Sequence, residues 1–323
     1  MRLLITGGAG FIGSCMVRKS IEEGHTVLNI DSLTYAACLD NVASVSKSNG
    51  YSFEKIDIRD YKKLEKAIES FQPDAIINFA AESHVDRSID SASRVLETNI
   101  IGTFNLLDIF TKYWMKKNMS ETYRFIHIST DEVFGEALDC ELFTETTSYD
   151  PKNPYSASKA SSDHLVRAWM NTHGTPAIIT NCSNNYGPFQ FPEKLIPLTI
   201  NAIRNSRPIP IYGDGKQIRD WIYVDDHIDG VMRVLQRGTL GESYNIGSNN
   251  EVTNIDLVEM ICDTVDTKLE NNTSSRQLIE FVRDRPGHDR RYAIDSTKIR
   301  SQIGWIPRFD IETGIDITVD WYL

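Results

Sequence analysis

The chain has 323 residues, of which 34 are Lys or Arg and 45 are Asp or Glu, so its formal net charge is −11. This acidic balance disfavours non-specific binding to nucleic acid or to an anionic membrane, although it remains compatible with a local basic pocket for phosphate. Hydrophobic residues make up 41% and charged residues 24% of the chain, a globular composition that excludes a disordered protein.

Secretion, a membrane anchor and a metal site are not expected from the sequence. No apolar run approaches the roughly 20 residues that a membrane-spanning helix needs, and the N-terminus reaches Gly7 too early for a signal peptide. The five cysteines are odd in number and far apart, and none forms a Cys-x-x-Cys pair, which argues against disulfides and structural zinc. We therefore expect a soluble, reduced protein of the cytoplasm.

Short apolar runs alternate with helical stretches over roughly the first half of the chain, and most of the runs are typical of strands buried on both faces of a parallel sheet. The predicted strands are Leu3–Thr6, Thr26–Asp31, Phe53–Lys55, Ala75–Phe79, Arg124–Ser129 and Ala177–Asn181. The predicted helices are Phe11–Glu23, Tyr61–Ser70, Ile89–Met115 and Ser156–His173. This alternation predicts an α/β fold with a Rossmann-type, doubly wound parallel sheet.

The composition changes after Asn181, where prolines, asparagines and glycines predict short elements. Further along, the pattern predicts helices over Val224–Arg237 and Asn254–Asp266 and strands over Tyr244–Ile246 and Ile279–Val282. We expect a Rossmann domain over residues 1–185 and a smaller C-terminal lobe over residues 186–323, with residues 219–241 returning to the first domain.

A glycine-rich turn follows the first predicted strand and opens the first helix. It reads Gly7-Gly8-Ala9-Gly10-Phe11-Ile12-Gly13, with the G-x-x-G-x-x-G spacing of dinucleotide-binding turns. Glycines let the backbone approach a pyrophosphate, and the helix N-terminus offers it unpaired N–H groups. An ordinary strand–helix turn can also contain glycines, but the strand, helix and following acid are all in register for dinucleotide binding.

The second predicted strand ends at Asp31, where a carboxylate can accept hydrogen bonds from the ribose hydroxyls of an adenosine. The same carboxylate would repel a 2′-phosphate, and neither Ser32 nor Leu33 supplies a cation. The sequence therefore favours NAD over NADP.

Two further strand ends are candidate parts of the cofactor site. Asp57, which precedes Ile58, is placed either to accept from the adenine amino group or to serve as a helix-capping or loop acid. Ala80 and Ala81 end the fourth strand, where small side chains would let the backbone approach a cofactor.

Tyr155 and Lys159 are four residues apart in a predicted helix and therefore lie on one face of it. An ordinary Tyr has a pKa near 10, which is too high for a base at neutral pH. A nearby ammonium and an oxidised nicotinamide would lower that pKa. Such pairs are common on exposed helices. This pair indicates a catalytic role only because it follows a predicted dinucleotide-binding fold.

Thr130, Asp131 and Glu132 follow the predicted strand that ends at Ser129. They lie at the carboxyl edge of the sheet, where open α/β folds bind ligands. Paired acids whose environments separate their pKa values can act as one acid and one base. A solvated loop with capping acids is the alternative interpretation.

With these motifs in place, the chain resembles the extended short-chain dehydrogenase/reductases and, within them, the dTDP-glucose 4,6-dehydratases, almost from end to end. Asp131-Glu132 after Thr130 is the most discriminating piece, since related 4-epimerases usually lack it. The segments that carry the resemblance are Thr6–Ser14, Asp31–Tyr35, Asn78–Ser88, Ser129–Gly135, Tyr155–Lys159, Asn184–Leu198, Gly213–Asp226 and Arg285–Asp295.

The resemblance implies an NAD-dependent dehydration of a nucleoside-diphosphate glucose. Tyr155, with Lys159 beside it, would deprotonate the 4-hydroxyl, to which Thr130 would hydrogen-bond, while hydride leaves C4. Glu132 would remove the C5 proton, and Asp131 would protonate the departing 6-hydroxyl. Hydride would then return to C6 and give the 4-keto-6-deoxy sugar nucleotide, which feeds rhamnose and other deoxysugars.

The resemblance also implies binding residues and partners. Further cofactor contacts are expected at Phe11, Ile12, Ser32, Thr34 and Ile58, and Tyr155 and Lys159 are expected to contact the cofactor as well. The nucleoside diphosphate is expected at Ser83, Asn184, Lys194, Leu195, Pro210, Tyr212, Arg219, Asn254, Arg285 and His288. A homodimer is expected to pack through Ile89–Met115 and the helix that carries Tyr155.

Three alternatives remain open from the sequence. UDP-glucose differs from dTDP-glucose by one methyl and one hydroxyl, so it is an alternative substrate. A related sugar-nucleotide epimerase or decarboxylase is a second candidate, against which Asp131 and Glu132 argue. A non-catalytic NAD-binding module is the third, but such a module would need no dehydration acids.

Overall fold

The computed structural model describes residues 1–323, except for the side chains of Asp86, Arg87 and Asp90. Its centre is a seven-stranded parallel sheet with the order β10-β6-β5-β4-β1-β2-β3, which confirms the predicted fold class. The strands are β1 (Arg2–Thr6), β2 (Thr26–Asp31), β3 (Tyr51–Lys55), β4 (Ala75–Asn78), β5 (Arg124–Thr130), β6 (Ala177–Cys182), β7 (Asn184–Tyr186), β8 (Ile209–Tyr212), β9 (Ile218–Tyr223), β10 (Ser243–Ile246), β11 (Glu251–Thr253) and β12 (Ile279–Val282).

Helices cover both faces of the seven-stranded sheet. They are α1 (Phe11–Glu22), α2 (Tyr61–Phe71), α3 (Val85–Asp90), α4 (Ala92–Leu96), α5 (Gly102–Lys116), α6 (Pro154–His173), α7 (Leu195–Arg204), α8 (Val224–Arg237), α9 (Asn254–Leu269), α10 (Thr297–Ile303) and α11 (Ile311–Tyr322). Leu3 packs with α1, α8 and α10 on one face, whereas Leu4 packs with α2, α5 and α6 on the other. Successive residues of β1 thus bury opposite faces of the sheet, as strand geometry requires.

The single helix predicted over Ile89–Met115 is wrong. The chain forms α3 and α4 and then a wide π-helical turn over Glu97–Ile101 before α5 begins. Asn99 lies in that turn with its amide buried, where it accepts from Glu82 N at 2.9 Å and donates to Ser158 Oγ at 2.8 Å. These long-range hydrogen bonds hold the widened turn, and hydrophobic periodicity does not reveal them.

The C-terminal half of the chain builds a second core and also completes the large sheet. Strands β7, β9 and β11 form one small sheet, and β8 pairs with β12. The sequence did not predict α7 or α11. Pro197 is compatible with α7 because it lies in the first turn, where an N–H has no helical partner.

The expected return of residues 219–241 to the first domain stays a prediction, and the chain also returns to the large sheet beyond that range. Helix α8 lies within that range and packs against α1. The strand that joins the sheet is β10, which pairs with β6 and lies beyond the expected range. None of the helices in the described part of the chain is both long and apolar enough to cross a membrane.

Candidate active site

One cavity of about 710 Å³ lies at the carboxyl ends of the sheet strands. It begins where the order of the strands reverses between β1 and β4, which is the place where open α/β sheets bind ligands. Every residue that the sequence analysis assigned to catalysis, cofactor binding or substrate binding lines this cavity. The fold therefore brings together side chains that are up to about 280 positions apart in the chain.

The glycine turn forms one end of the cavity. Gly7 has a φ of +70°, and a Cβ there would lie 2.8 Å from Ala80 N, so the ends of β1 and β4 approach through the missing side chain. A Cβ on Gly13 would collide with the carbonyl oxygen of Gly7. Gly10 precedes α1 and has no side chain to cap it, so its first N–H groups remain available to an anion. This cradle fits the pyrophosphate of a dinucleotide.

Asp31 is almost fully buried at the end of β2. Its carboxylate accepts from Ala9 N at 3.0 Å and from Leu33 N at 2.8 Å, and burial raises its pKa. Two backbone donors leave acceptor capacity on the two carboxylate oxygens, and the side chain lines the cavity. This arrangement fits the hydroxyls of an adenosine ribose.

Asp57 also lines the cavity, but its carboxylate is already engaged. Arg59 contacts it through Nε at 3.0 Å and Nη2 at 2.7 Å, and these hydrogen bonds lower the pKa of Asp57. Arg59 also reaches Glu97 at 3.0 Å. The structure thus favours the alternative of a loop acid, and a contact with adenine would have to share this carboxylate with Arg59.

The paired acids open a short 3₁₀ helix directly after β5. Thr130 caps it and donates from Oγ1 to Asp131 Oδ1 at 3.1 Å. Asp131 is 1% exposed, and burial together with the charges of Glu132 and Asp220 raises its pKa well above the usual range. Asp131 is therefore suited to carry a proton at neutral pH.

Glu132 lies in a different electrostatic environment from Asp131. Burial raises its pKa, but the positive charges of Arg219, Lys194 and Arg285 oppose that rise. The pKa of both adjacent carboxyl groups is thus raised, but nearby cations favour the ionised form only at Glu132 to this extent, and Asp131 is the one raised well above its usual range. Such a difference between paired acids is the pattern expected of acid–base catalysis.

Tyr155 and Lys159 lie on α6 beside these acids. Burial and the charge of Glu132 raise the pKa of Tyr155 well above 10, while a hydrogen bond with Thr130 opposes the rise. Lys159 Nζ donates to the carbonyl oxygen of Ile128 at 2.6 Å, and burial lowers its pKa. Tyr155 is therefore a neutral phenol in this structure, and it becomes a base only when further positive charge approaches it.

Cationic and aromatic side chains form the other end of the cavity. The Arg219 guanidinium is buried, donates to the carbonyl of Asp289 at 2.9 Å and lies 4.2 Å from the centre of the Tyr292 ring. Arg285 lies 4.9 Å from the centre of the Tyr212 ring. Two fixed guanidinium groups suit a diphosphate, because each can pair with phosphate oxygens through a planar fork.

His288 completes this end of the cavity as a neutral side chain. Its Nδ1 lies 2.7 Å from Asp284 Oδ1, and its ring packs edge-on against Tyr212. Burial lowers the pKa of His288, so the imidazole acts as a polar contact rather than as a third cation.

The sequence analysis missed several residues that line the same cavity. Glu193 lies 3.4 Å from His84, and Tyr292 stacks under Arg219. Both belong to segments that carry the family resemblance. Glu193 could have been predicted as a site residue because it is adjacent to Lys194 in one of these segments. Cys182 is buried and also lines the cavity.

Comparisons with known proteins identify the family of this chain. A family model described as GDP-mannose 4,6 dehydratase matches residues 4–318. The dTDP-glucose 4,6-dehydratase of Salmonella typhimurium is 53% identical, over 100% of this chain and 93% of that protein. The enzyme of the same name from Neisseria meningitidis serogroup B is 51% identical, again over 100% of this chain and 93% of that protein.

Solved structures show the same fold over the whole chain. DesIV, a dTDP-glucose 4,6-dehydratase from Streptomyces venezuelae with NAD bound, superposes with a TM-score of 0.92 at 41% identity and covers 100% of this chain and 97% of that chain. A UDP-glucose 4-epimerase from Thermotoga maritima superposes with a TM-score of 0.88 at 27% identity and covers 100% and 98%. Dehydratases and epimerases share this fold.

The fold and its site define the class, which is that of the extended short-chain dehydrogenase/reductases. Sequence identity distinguishes the families within this class. The Salmonella dehydratase is 53% identical to this chain, whereas the Thermotoga epimerase is 27% identical. The chain belongs to the dTDP-glucose 4,6-dehydratase family.

Proposed function

We propose that this protein is an NAD-dependent hydro-lyase that converts dTDP-glucose to its 4-keto-6-deoxy derivative with loss of water. The observation that carries the proposal is that two buried acids in different electrostatic environments, Asp131 and Glu132, line one cavity with Tyr155. A simple dehydrogenase or epimerase needs only the Tyr–Lys pair. The elimination of water needs a second base for a C–H proton and an acid for the leaving hydroxyl.

The first step uses Tyr155. NAD, when bound, accepts the hydride from C4 and later returns it to C6. Tyr155 takes the proton of the 4-hydroxyl, and Thr130, which already hydrogen-bonds to the phenol, orients that hydroxyl. Lys159 supplies a buried positive charge on the same face of α6.

The second step uses the paired acids. Once C4 is a ketone, the C5 proton is acidic, and Glu132 removes it. Asp131 gives its proton to the 6-hydroxyl, which leaves as water. The cations around Glu132 favour its ionised form against burial, and the burial of Asp131 favours the protonated form of that side chain.

We propose that the two ends of the cavity bind the two nucleotides. The cofactor lies along Gly7, Gly10, Phe11, Ile12, Gly13, Asp31, Ser32, Thr34, Asp57, Ile58, Ala80 and Ala81. The substrate lies along Ser83, Asn184, Lys194, Leu195, Pro210, Tyr212, Arg219, Asn254, Arg285 and His288. The glycine cradle supports the first assignment, and the two fixed guanidinium groups support the second.

Gly13→Ala tests the cofactor end. Since the added Cβ meets the Gly7 carbonyl, the turn must shift, which costs about 1–3 kcal/mol and weakens NAD binding by about tenfold or more. Binding is measured by titrating the protein with NAD, and stability is measured by thermal unfolding. Gly24→Ala is the control: Gly24 does not line the cavity and a Cβ there meets nothing within 4 Å, so NAD binding should be unchanged, although its φ of +79° means that the substitution lowers the Tm. Unchanged binding in Gly13→Ala would contradict the assignment.

A paired assay with dTDP-glucose and UDP-glucose tests the proposed function. We expect loss of one water from dTDP-glucose, detected by mass. The relatives from Salmonella and Neisseria are named for this substrate. One buried methyl is worth roughly 0.8 kcal/mol, so UDP-glucose is expected to react about fourfold less efficiently or worse. Faster dehydration of UDP-glucose would reassign the substrate, and no water loss from either would refute the proposal.

We also propose a homodimer that packs through α4, α5 and α6. Leu96 and Ile101 are exposed on this surface, Ile101 by 50%, and Phe104 packs edge-on against Trp169, with both rings only partly buried. Light scattering is expected to give twice the mass of one chain. A monomer at micromolar concentration would contradict the dimer.

We propose that the enzyme works in the cytoplasm and supplies deoxysugar synthesis, including that of rhamnose. Its five cysteines are free, which suits a reducing compartment. The 4-keto-6-deoxy product has a reactive ketone that later epimerases and reductases can use.

A further inference from the structure

A buried carboxylate lies behind the active site, outside the cavity wall. Asp163 is on α6, one turn beyond Lys159, and is 0% exposed. Its Oδ2 accepts from Ser129 Oγ at 2.7 Å and from Tyr149 OH at 2.8 Å. Its Oδ1 lies 3.3 Å from His127 Nε2. This carboxylate is fully enclosed, and the catalytic scheme above gives it no role.

The neighbouring histidine does not balance this negative charge. Asn78 Nδ2 lies 3.3 Å from His127 Nδ1, so Nδ1 accepts and Nε2 carries the proton that faces Asp163. Burial and the charge of Lys159 lower the pKa of His127, which therefore stays neutral. Both hydroxyl donors to Asp163 are also neutral, because burial raises the pKa of Tyr149.

The remaining cation is Lys159, four residues earlier on the same face of α6. His127, through its hydrogen bond, and then the charge of Lys159 lower the pKa of Asp163 against burial, and Asp163 in turn raises the pKa of Lys159. The ammonium is itself 5% exposed and donates to the carbonyl of Ile128. A buried charge that loses its partner is strongly destabilised, so the charge of each of these side chains depends on that of the other.

Other titratable and charged groups lie near Lys159, Asp163 and Tyr155 on the surrounding elements. Cys182 on β6 faces Lys159, and Arg167 reaches Tyr149 OH at 3.0 Å from the far side. Asp131 and Glu132, after β5, act on Tyr155 and raise its pKa. Lys159 is thus held between the buried Asp163 behind it and the acids of the reaction centre in front.

We propose that Asp163 is a positioning residue of the reaction: it keeps Lys159 charged and in place, and through Lys159 it favours the ionised form of Tyr155. This inference rests on the proposed function for the role of Tyr155. The coupling of the two charges does not depend on that function: it rests on the burial of Asp163 and Lys159 one turn apart on α6 and on their mutual effect on each other's pKa.

The pH profile of Asp163→Asn tests the proposal. The amide keeps the size of the side chain and removes its charge, so the pKa of Lys159 falls and that of Tyr155 rises. The rate of C4 oxidation in a single turnover is followed as the absorbance of reduced nicotinamide. We expect the alkaline limb to move down and the acid limb to move up, each by about one pH unit. Tyr149→Phe removes a hydrogen bond to the same carboxylate oxygen without changing its charge, and should leave both limbs in place.

Unshifted limbs in Asp163→Asn, with a lower Tm alone, would overturn the positioning role and leave the proposed function intact. A second measurement tests the charge pair without any turnover. Lys159→Met leaves Asp163 buried and unpaired, so the Tm of this variant should fall, and adding Asp163→Asn should raise it again. A double variant less stable than Lys159→Met would show that the two charges are not partners and would overturn the proposal.

Discussion

Replacing Tyr155 by Phe is expected to abolish the oxidation of the sugar at C4. The phenol is the group that takes the 4-hydroxyl proton, and the other acids near it, Asp131 and Glu132, are assigned to the later steps. Loss of a general base costs about 10²–10⁴-fold in rate. The ring of Phe keeps the buried shape, so Tm should change little while the first step disappears.

The measurement is the appearance of reduced nicotinamide after dTDP-glucose is added to the NAD-loaded Tyr155→Phe enzyme. Tyr113→Phe is a matched control: its ring is also buried, and its hydroxyl donates to Pro73 O, away from the cavity. That variant should oxidise C4 at the normal rate. Reduced nicotinamide formed by Tyr155→Phe at the normal rate would remove Tyr155 from the mechanism.

Glu132→Gln is expected to separate the two steps. Oxidation at C4 should continue, because Tyr155 and Lys159 are unchanged. Exchange of the C5 proton with solvent should slow by about 10²–10⁴-fold, since the amide cannot accept that proton. The variant should therefore accumulate reduced nicotinamide after one addition of substrate.

The exchange is followed in deuterated water by the mass of the recovered sugar. Glu136→Gln is the control, since Glu136 is an exposed acid four residues further on and does not line the cavity. It should exchange normally. Normal C5 exchange in Glu132→Gln would show that another group is the base.

Much of the fold is readable from the sequence because its signals are local. The apolar runs indicate most strands of the large sheet, and Asn153 and Ser156 form a capping box at the start of α6. The prediction over Ile89–Met115 was wrong because the contacts that widen the helix at Asn99 come from Glu82 and Ser158. Contacts between distant parts of the chain leave no periodic signal.

The residues of the site could be predicted from the sequence, but the pKa shifts of its acids could not. Asp131 and Glu132 are adjacent in sequence, and nothing local indicates which is the acid. The difference arises from Lys194 and Arg285, whose charges oppose the rise at Glu132, and from Glu132 and Asp220, whose charges add to the rise at Asp131. The proposed dependence of the charge of Lys159 on Asp163 could not be predicted either, because the contacts that bury Asp163 come from Ser129 and His127 on β5.

The most direct test of the proposed function uses dTDP-glucose that carries deuterium at C4. Tyr155, Asp131 and Glu132 are proposed to act in one cavity on one bound sugar, so the deuterium that leaves C4 should return at C6 of the same molecule. We expect a product that has lost one water and holds the label at C6, as read by mass spectrometry of the sugar fragments. A sugar nucleotide whose mass shows no loss of water would contradict the proposed reaction. A dehydrated product without deuterium at C6 would also contradict it.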